Sequence, residues 1–213
     1  MAILPDSGTL LAYSIACLVL FATPGPDMSL FLSRTMTGGR AAGLAAMAGA
    51  MVGCCVHTVV AALGLSALIA ASTTAFTILK VVGALYLLWL AIDAIRRGSA
   101  LSLDAGARAA PSLWRTFLVG IGINLTNPKV VLFFVTFLPQ FVDPHDPHAP
   151  AKLFVLGLYF VVLSTPLAAL MVLLADRFIA VLTRRRWVSR TLDYAFAGIF
   201  AVFAIRIALI PSR

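Results

Sequence analysis

Charged side chains are scarce in this sequence of 213 residues, making up 11% of it against 62% for hydrophobic residues. A soluble domain carries roughly a quarter charged residues, because its surface must stay hydrated. The mean hydropathy of +1.03 points the same way. The sequence also lacks the alternating polarity of barrel strands, which run for about ten residues. Composition therefore excludes a soluble domain and indicates helices solvated by lipid.

Cysteine is also rare, and its placement excludes several kinds of chemistry. Cys17, Cys54 and Cys55 all lie in apolar stretches, and their odd number argues against a disulfide framework. Cys54 and Cys55 are adjacent and point to different faces of a helix, which disfavours a metal pair. No C-x-x-C motif and no phosphate-binding Gly-rich loop ending in Gly-Lys-Ser/Thr occurs, so ATP drive would require another chain.

Six segments are long and apolar enough to cross a hydrocarbon core, which takes about 20 residues. They are residues 9–33, 43–71, 74–95, 113–142, 153–174 and 191–210. We therefore predict an all-α polytopic membrane protein of about six transmembrane helices, forming a single transporter domain over residues 1–213.

The net charge of +8 suggests a nucleic-acid partner until its distribution is considered. Eleven of the 16 Lys and Arg residues lie in or beside the loops that follow the first, third and fifth spans. This asymmetry is what the positive-inside rule describes, so it predicts a membrane topology and no nucleic-acid binding. These loops are then cytoplasmic, and both termini lie outside the cytoplasm. The eleven are Arg34, Arg40, Arg96, Arg97, Arg108, Arg115, Arg177, Arg184, Arg185, Arg186 and Arg190.

A hydrophilic linker, about 98–112, divides the chain into halves of three helices each, about 1–97 and 113–213. The first helix of each half contains a related interruption around Pro26 and Pro128. Setting these prolines against each other also aligns two Leu-Phe pairs that follow them. Because three helices is an odd number, homologous halves would have opposite orientations, which predicts an inverted repeat.

Both interruptions are predicted to break their helices near the middle of the membrane. Proline removes a helical hydrogen bond, and in lipid a broken backbone persists only where protein or a wet cavity satisfies it. At about 1.5 Å per residue, roughly 12 Å separates Pro26 from Arg34 and roughly 20 Å separates Arg115 from Pro128. Each break is expected to start a new helix at proline. The N-terminus of that helix favours a carboxylate.

Asp27 and Lys129 follow the two prolines, and each costs about 2.5–3.5 kcal/mol at this depth. One interpretation is a structural ion pair. The other is that Asp27 binds a substrate ammonium or carries a proton, while Lys129 neutralises a carboxylate, as an α-amino acid requires. The predicted substrate-binding residues are Pro24, Gly25, Pro26, Asp27, Asn127, Pro128 and Lys129.

His57 is the second candidate for proton coupling, beside Asp27. It follows a small-residue pattern, Gly49 and Gly53, that predicts close helix contact. An intramembrane histidine can relay protons, but a hydrogen-bonded packing histidine remains the alternative. The run 143–148, Asp-Pro-His-Asp-Pro-His, could hold a metal, but its prolines favour an ordinary exposed turn. No metal and no cofactor is predicted.

The order of motifs resembles the LysE/RhtB family of bacterial amino-acid exporters. The resemblance implies an inner-membrane exporter of amino acids or close derivatives, driven by the proton gradient, and not an enzyme. It does not choose among homoserine, threonine, lysine, leucine or other small molecules. The matching residues are 24–27, 39–44, His57 with 61–65, 80–87, 127–129, 132–134 and 138–142.

The leading interpretation is a proton-coupled secondary transporter, whose partners would be its amino acid, protons and the bilayer. Two alternative functions stay open. A metal-ion or other cation exporter on the same fold would want several inward carboxylates, His or Cys. An intramembrane protease or redox enzyme would use paired aspartates or Cys54 and Cys55. A homo-oligomer is possible on this sequence.

Overall fold

The computed structural model describes residues 5–65, 112–143 and 146–184, with scattered residues between 72 and 96 and between 187 and 202. Within this part of the chain the regular structure is helical and no strand occurs. The main helices are α1 (Ser7–Ala22), α2 (Pro26–Val60), α3 (Leu113–Thr126), α4 (Pro128–Leu132), α5 (Ala149–Leu173) and α6 (Ala175–Arg184). Wider or tighter turns extend α2 over Ala61–Leu65, and α4 over Phe133–Phe137 and Leu138–Phe141.

Two described helical stretches are long and apolar enough to cross a membrane, Pro26–Gly64 and Ala149–Leu173. A third span results if Leu113–Thr126 and Pro128–Phe141, which meet at a 53° bend, are counted together. The linker lies almost entirely outside the described residues, and fewer than half of the residues in the third and sixth predicted spans are described. The six-helix inverted repeat therefore stays a prediction.

Residues 34–42 separate the first two predicted spans. They are helical except at Gly39, where the backbone leaves helical geometry at φ 75° and ψ 178°. Glycine adopts this positive φ without the steric cost that a Cβ brings. Helix α2 therefore consists of two helical segments joined at Gly39, and this joint lies between the first two predicted spans.

Both predicted breaks are confirmed. Helix α1 ends at Ala22, and Pro26 starts α2 after an extended Gly25. Helix α3 ends at Thr126, and Pro128 starts α4 after Asn127, whose ψ of 109° is extended. Proline suits a first helical position, where its missing N–H costs nothing, and it disfavours helical geometry in the residue before it.

Glycines bring α2 and α3 into backbone contact, as the small-residue pattern predicted. A Cβ added to Gly49 would lie 2.0 Å from the Phe117 carbonyl oxygen. A Cβ added to Gly120 would lie 2.2 Å from the Ala46 carbonyl oxygen. No larger residue fits at either position, so this contact fixes α3 against the second segment of α2.

Aromatic side chains fill the core between α1, the extension of α4 and α5. Tyr13, Phe133 and Phe137 are each 0% exposed. The Tyr13 hydroxyl donates to the Leu156 carbonyl oxygen at 3.0 Å, and the rings of Phe133 and Phe160 lie 4.9 Å apart. This packing holds α1 and α4 side by side, so that their breaks meet.

Candidate functional site

The carboxylate of Asp27 is held on one side only. Its Oδ2 atom accepts hydrogen bonds from Asn124 Nδ2 at 2.9 Å and from Asn127 Nδ2 at 3.0 Å. Its Oδ1 atom is buried and has no hydrogen-bond partner among the described residues. Because a carboxylate oxygen accepts two hydrogen bonds, Oδ1 is available to an N–H donor or to a proton.

Lys129 reaches from the second break to the first. Its Nζ atom donates to the Leu20 carbonyl oxygen at 3.0 Å and to the Thr23 carbonyl oxygen at 2.7 Å. In a continuous helix the Leu20 carbonyl would accept from residue 24, but Pro24 has no N–H. The C-terminus of a helix also carries partial negative charge. Lys129 therefore caps α1 with a positive charge exactly where proline removed the donor.

Asn127 serves both breaks through the two ends of its amide. Its Oδ1 atom accepts from the Lys129 backbone N–H at 3.1 Å and so caps α4. Its Nδ2 atom donates to Asp27. Oxygen faces a donor and nitrogen faces an acceptor, so one amide orientation satisfies both contacts.

Asn124 is a site residue that the sequence reasoning missed. It is 1% exposed, donates to Asp27, and accepts a weak hydrogen bond from Cys54 Sγ at 3.6 Å. Gly53 makes room for it, since a Cβ there would lie 2.4 Å from Asn124 Oδ1. A signal was present, because the chain holds two asparagines and both lie in the fourth span.

The two breaks line a cavity of about 50 Å³. A water needs at least about 10–15 Å³, so the cavity accepts a few water-sized groups. Four of the predicted residues line it, namely Gly25, Asp27, Asn127 and Lys129, and the three predicted prolines do not. The other lining residues are Leu20, Phe21, Thr23, Met28, Phe31, Met51, Cys54, Asn124, Val130, Phe160, Ser164 and Met171.

His57 lies behind the site rather than in its lining. Its Nε2 atom is 3.4 Å from the Asn124 carbonyl oxygen, a long contact for a hydrogen bond. Its ring stacks on Phe134, with centroids 5.5 Å apart. His57 thus touches a residue that holds Asp27, and its role in proton coupling stays a prediction.

The run 143–148 is described in part, and there Asp146 makes turn contacts. Its carboxylate accepts from the His148 backbone N–H at 2.7 Å and pairs with Lys152. The hydrogen bond from Lys152 and that from the His148 N–H hold the pKa of Asp146 below its usual value. Across the described ranges, no group of three or more His, Cys, Asp or Glu side chains could hold a metal ion.

Comparisons with known proteins agree on one family. The family model of the LysE type translocator matches residues 18–210. A homoserine/homoserine lactone efflux protein of Salmonella typhimurium is 31% identical over 202 residues, covering 92% of this chain and 94% of that protein. A leucine efflux protein of Klebsiella pneumoniae is 28% identical over 208 residues, covering 95% of each. No solved structure matches the chain.

Proposed function

Because this chain belongs to the LysE type translocator family, we propose that it exports a small amino acid or a close derivative across the bacterial inner membrane in exchange for protons. Two full-length relatives are named for the efflux of homoserine and of leucine. Proteins of this family are transporters and not enzymes, so the protease and redox alternatives fall. The cation exporter remains the competing function.

The unpartnered Oδ1 atom of Asp27 is the observation that carries the proposal. The two asparagines fix Oδ2, and Oδ1 is left without a partner on a residue that lines the cavity. That oxygen accepts either a substrate ammonium or a proton. A protonated Asp27 has no charge with which to hold an ammonium, so the two ligands exclude each other. Mutual exclusion at one group is what couples substrate and proton in opposite directions.

The opposite end of an amino acid meets positive potential at the same place. The N–H groups of Asp27 and Met28 lie in the first turn of α2, where no helical carbonyl reaches them. The helix dipole adds partial positive charge there, and Lys129 Nζ lies against Gly25 beside it. A substrate carboxylate is therefore stabilised close to where its ammonium meets Asp27, so the site suits a zwitterion.

We also propose how the site changes sides. In the predicted inverted repeat, with halves 1–97 and 113–213 and both termini outside, one half rocks against the other around the broken helices. Helix α2 belongs to the first half and α3 to the second, and Gly49 and Gly120 join their backbones. A contact this close tolerates little separation, so it would act as the pivot.

Export from intact cells tests the proposal. Cells making the protein are preloaded with labelled amino acids and dipeptides, with and without a protonophore. We expect faster loss of one or a few amino acids, abolished by the protonophore and by Asp27→Asn. The matched control is Asp176→Asn, an exposed aspartate of α6, which should export normally.

Two results would contradict the proposal. If Asp27→Asn exports at the wild-type rate, the carboxylate is not the shared group. If no amino acid moves although the protein is inserted, the weight shifts to cation export. Metal sensitivity of a deletion strain then becomes the deciding measurement.

A further inference from the structure

The carbonyl group of Asn124 lacks the donor that a continuous helix would supply. In an α-helix a carbonyl accepts from the N–H four residues later, and here that residue is Pro128, which has no N–H. The Asn127 N–H donates to the Asn124 carbonyl oxygen instead, at 3.1 Å. A carbonyl oxygen has two lone pairs, and His57 Nε2 lies 3.4 Å from the same oxygen. Because a carbonyl only accepts, Nε2 carries the hydrogen in this contact.

The first break has the same arrangement with a different basic residue. The Leu20 carbonyl loses its helical donor to Pro24, and Lys129 Nζ donates to it at 3.0 Å. In both breaks a basic side chain thus meets the C-terminus of a helix, where the dipole is negative. Lys129 reaches from α4 to α1, and His57 reaches from α2 to α3. In the predicted inverted repeat, each half therefore caps the broken helix of the other.

One turn of α2 holds Asn124 from several sides. Gly53 leaves room for its side chain, since a Cβ there would lie 2.4 Å from Asn124 Oδ1. Cys54 Sγ donates to the same Oδ1 atom at 3.6 Å, and His57 contacts the main chain. The amide nitrogen of Asn124 is left to donate to Asp27 Oδ2 at 2.9 Å. The position of Asn124 therefore decides where the Asp27 carboxylate is held.

The surroundings of His57 suit a fixed donor. Its ring stacks on Phe134, with centroids 5.5 Å apart and an interplanar angle of 22°, and His57 does not line the cavity. We propose that His57 is a positioning residue, whose Nε2–H caps the C-terminus of α3 and so holds Asn124 against Asp27. This role needs a hydrogen-bond donor and no change of protonation. The inference rests on the proposed export function, because export reports the position of Asp27.

Glutamine and asparagine at position 57 separate a cap from a proton carrier. The amide nitrogen of glutamine takes about the place of Nε2, that of asparagine lies one bond nearer the backbone, and neither amide titrates near neutral pH. We expect His57→Gln to export at close to the wild-type rate, with the wild-type dependence on pH. His57→Asn should export about three- to tenfold more slowly, the value of one hydrogen bond. His57→Phe keeps a ring for Phe134 but has no donor, and should lose as much.

Melting in detergent tests the same contact without reference to export. The melting temperature of His57→Gln should match that of wild type, and those of His57→Asn and His57→Phe should be lower. The matched control is His148→Asn, because the exposed His148 makes its turn contact through the backbone N–H. This variant should change neither export nor melting.

Three outcomes overturn the inference. Loss of export in His57→Gln, or a shift of its pH profile, would make His57 a proton carrier. Wild-type export and melting in His57→Phe would show that ring packing alone suffices. Equal melting of His57→Gln and His57→Asn would show that no cap is lost. If inserted wild type exports no amino acid, the proposed function fails, and the melting temperatures alone then decide the cap.

Discussion

The two helix breaks have a similar backbone geometry, but the residue after the proline is negatively charged in the first and positively charged in the second. In each, a helix ends, the residue before the second helix is extended, and proline starts that helix, although three residues separate the two helices at the first break and one at the second. Gly25, Pro26 and Asp27 occupy the places that Asn127, Pro128 and Lys129 occupy in the second break. Lysine is unfavourable at the start of α4, where the helix dipole is positive. Its amine accordingly turns to the negative end of α1.

The residues before the two prolines differ in a complementary way. Asn127 fills its position with an amide that caps its own helix and holds Asp27. Gly25 leaves its position empty, and the Lys129 amine lies 3.2 Å from where a Cβ would stand. Each break is therefore completed by the other, and neither is a self-contained site. Changes at one break should be felt at both.

The largest effect is expected from separating the helices that carry the breaks. Gly120→Ala puts a methyl 2.2 Å from the Ala46 carbonyl oxygen, a backbone atom that cannot move aside. We expect little folded protein in the membrane fraction, measured by immunoblot and detergent melting. Gly122→Ala is the control, because no described atom lies within 4 Å of its added Cβ. It should fold normally, and equal loss in both variants would contradict the contact.

The second largest effect is expected from removing the side chain of Lys129. Lys129→Ala leaves the Leu20 and Thr23 carbonyls without this donor, at about 1–3 kcal/mol for each unsatisfied group. We expect export to disappear and the melting temperature in detergent to fall. Lys152→Ala, which loses an ion pair with Asp146, should affect neither. A stable Lys129→Ala protein that still exports would show that the second break does not need its charge.

The positions of the two breaks could be predicted from the sequence, but the side-chain contacts between them could not. Proline chemistry is local, so the ends of α1 and α3 and the starts at Pro26 and Pro128 could be predicted from the residues alone. The pairing of Asp27 with Asn124 depends on packing between distant helices. The Lys129 amine donates to backbone carbonyls at the end of α1, and the sequence around Lys129 does not indicate these partners.

The boundaries of the spans could be predicted only approximately from the positions of the charged residues. A loop was expected near Arg34 and Arg40, because basic residues gather at cytoplasmic ends of spans. Arg34 lies before the joint at Gly39 and Arg40 directly after it, each within a helical segment. Charge placement indicates which face a segment approaches and leaves open whether the backbone stays helical there. The backbone contact at Gly49 was predictable because small residues at helical spacing allow close approach.

Asn127 allows its two roles to be separated. Asn127→Ser keeps a residue that caps helices well, but its side chain is too short to hold Asp27. Asn127→Ala loses both functions, including a cap worth about 1 kcal/mol. We expect export to fall about tenfold in both variants, and the melting temperature to fall only in Asn127→Ala. Normal export by Asn127→Ser would show that Asn124 alone positions the carboxylate.

The smallest effect is expected at Gly25. Its backbone is extended, at φ −171° and ψ −176°, so alanine adopts it without strain, and Gly25→Ala changes only the space beside Lys129 Nζ. The amine must move by a few tenths of an ångström, and we expect export to fall about two- to threefold with an unchanged melting temperature. Gly8→Ala is the matched control. Its Cβ would also lie 3.2 Å from a charged side chain, Asp6, but at an exposed helix start.

The double variant decides whether Gly25 acts through the lysine. If it does, adding Gly25→Ala to a partly active Lys129→Arg protein should give a loss that differs from the product of the two single losses, because residues in contact are not additive. Independent losses that simply multiply would show that Gly25 serves the cavity directly. The two breaks would then be neighbours that share a cavity, and the complementarity of glycine with lysine would be a consequence of packing alone.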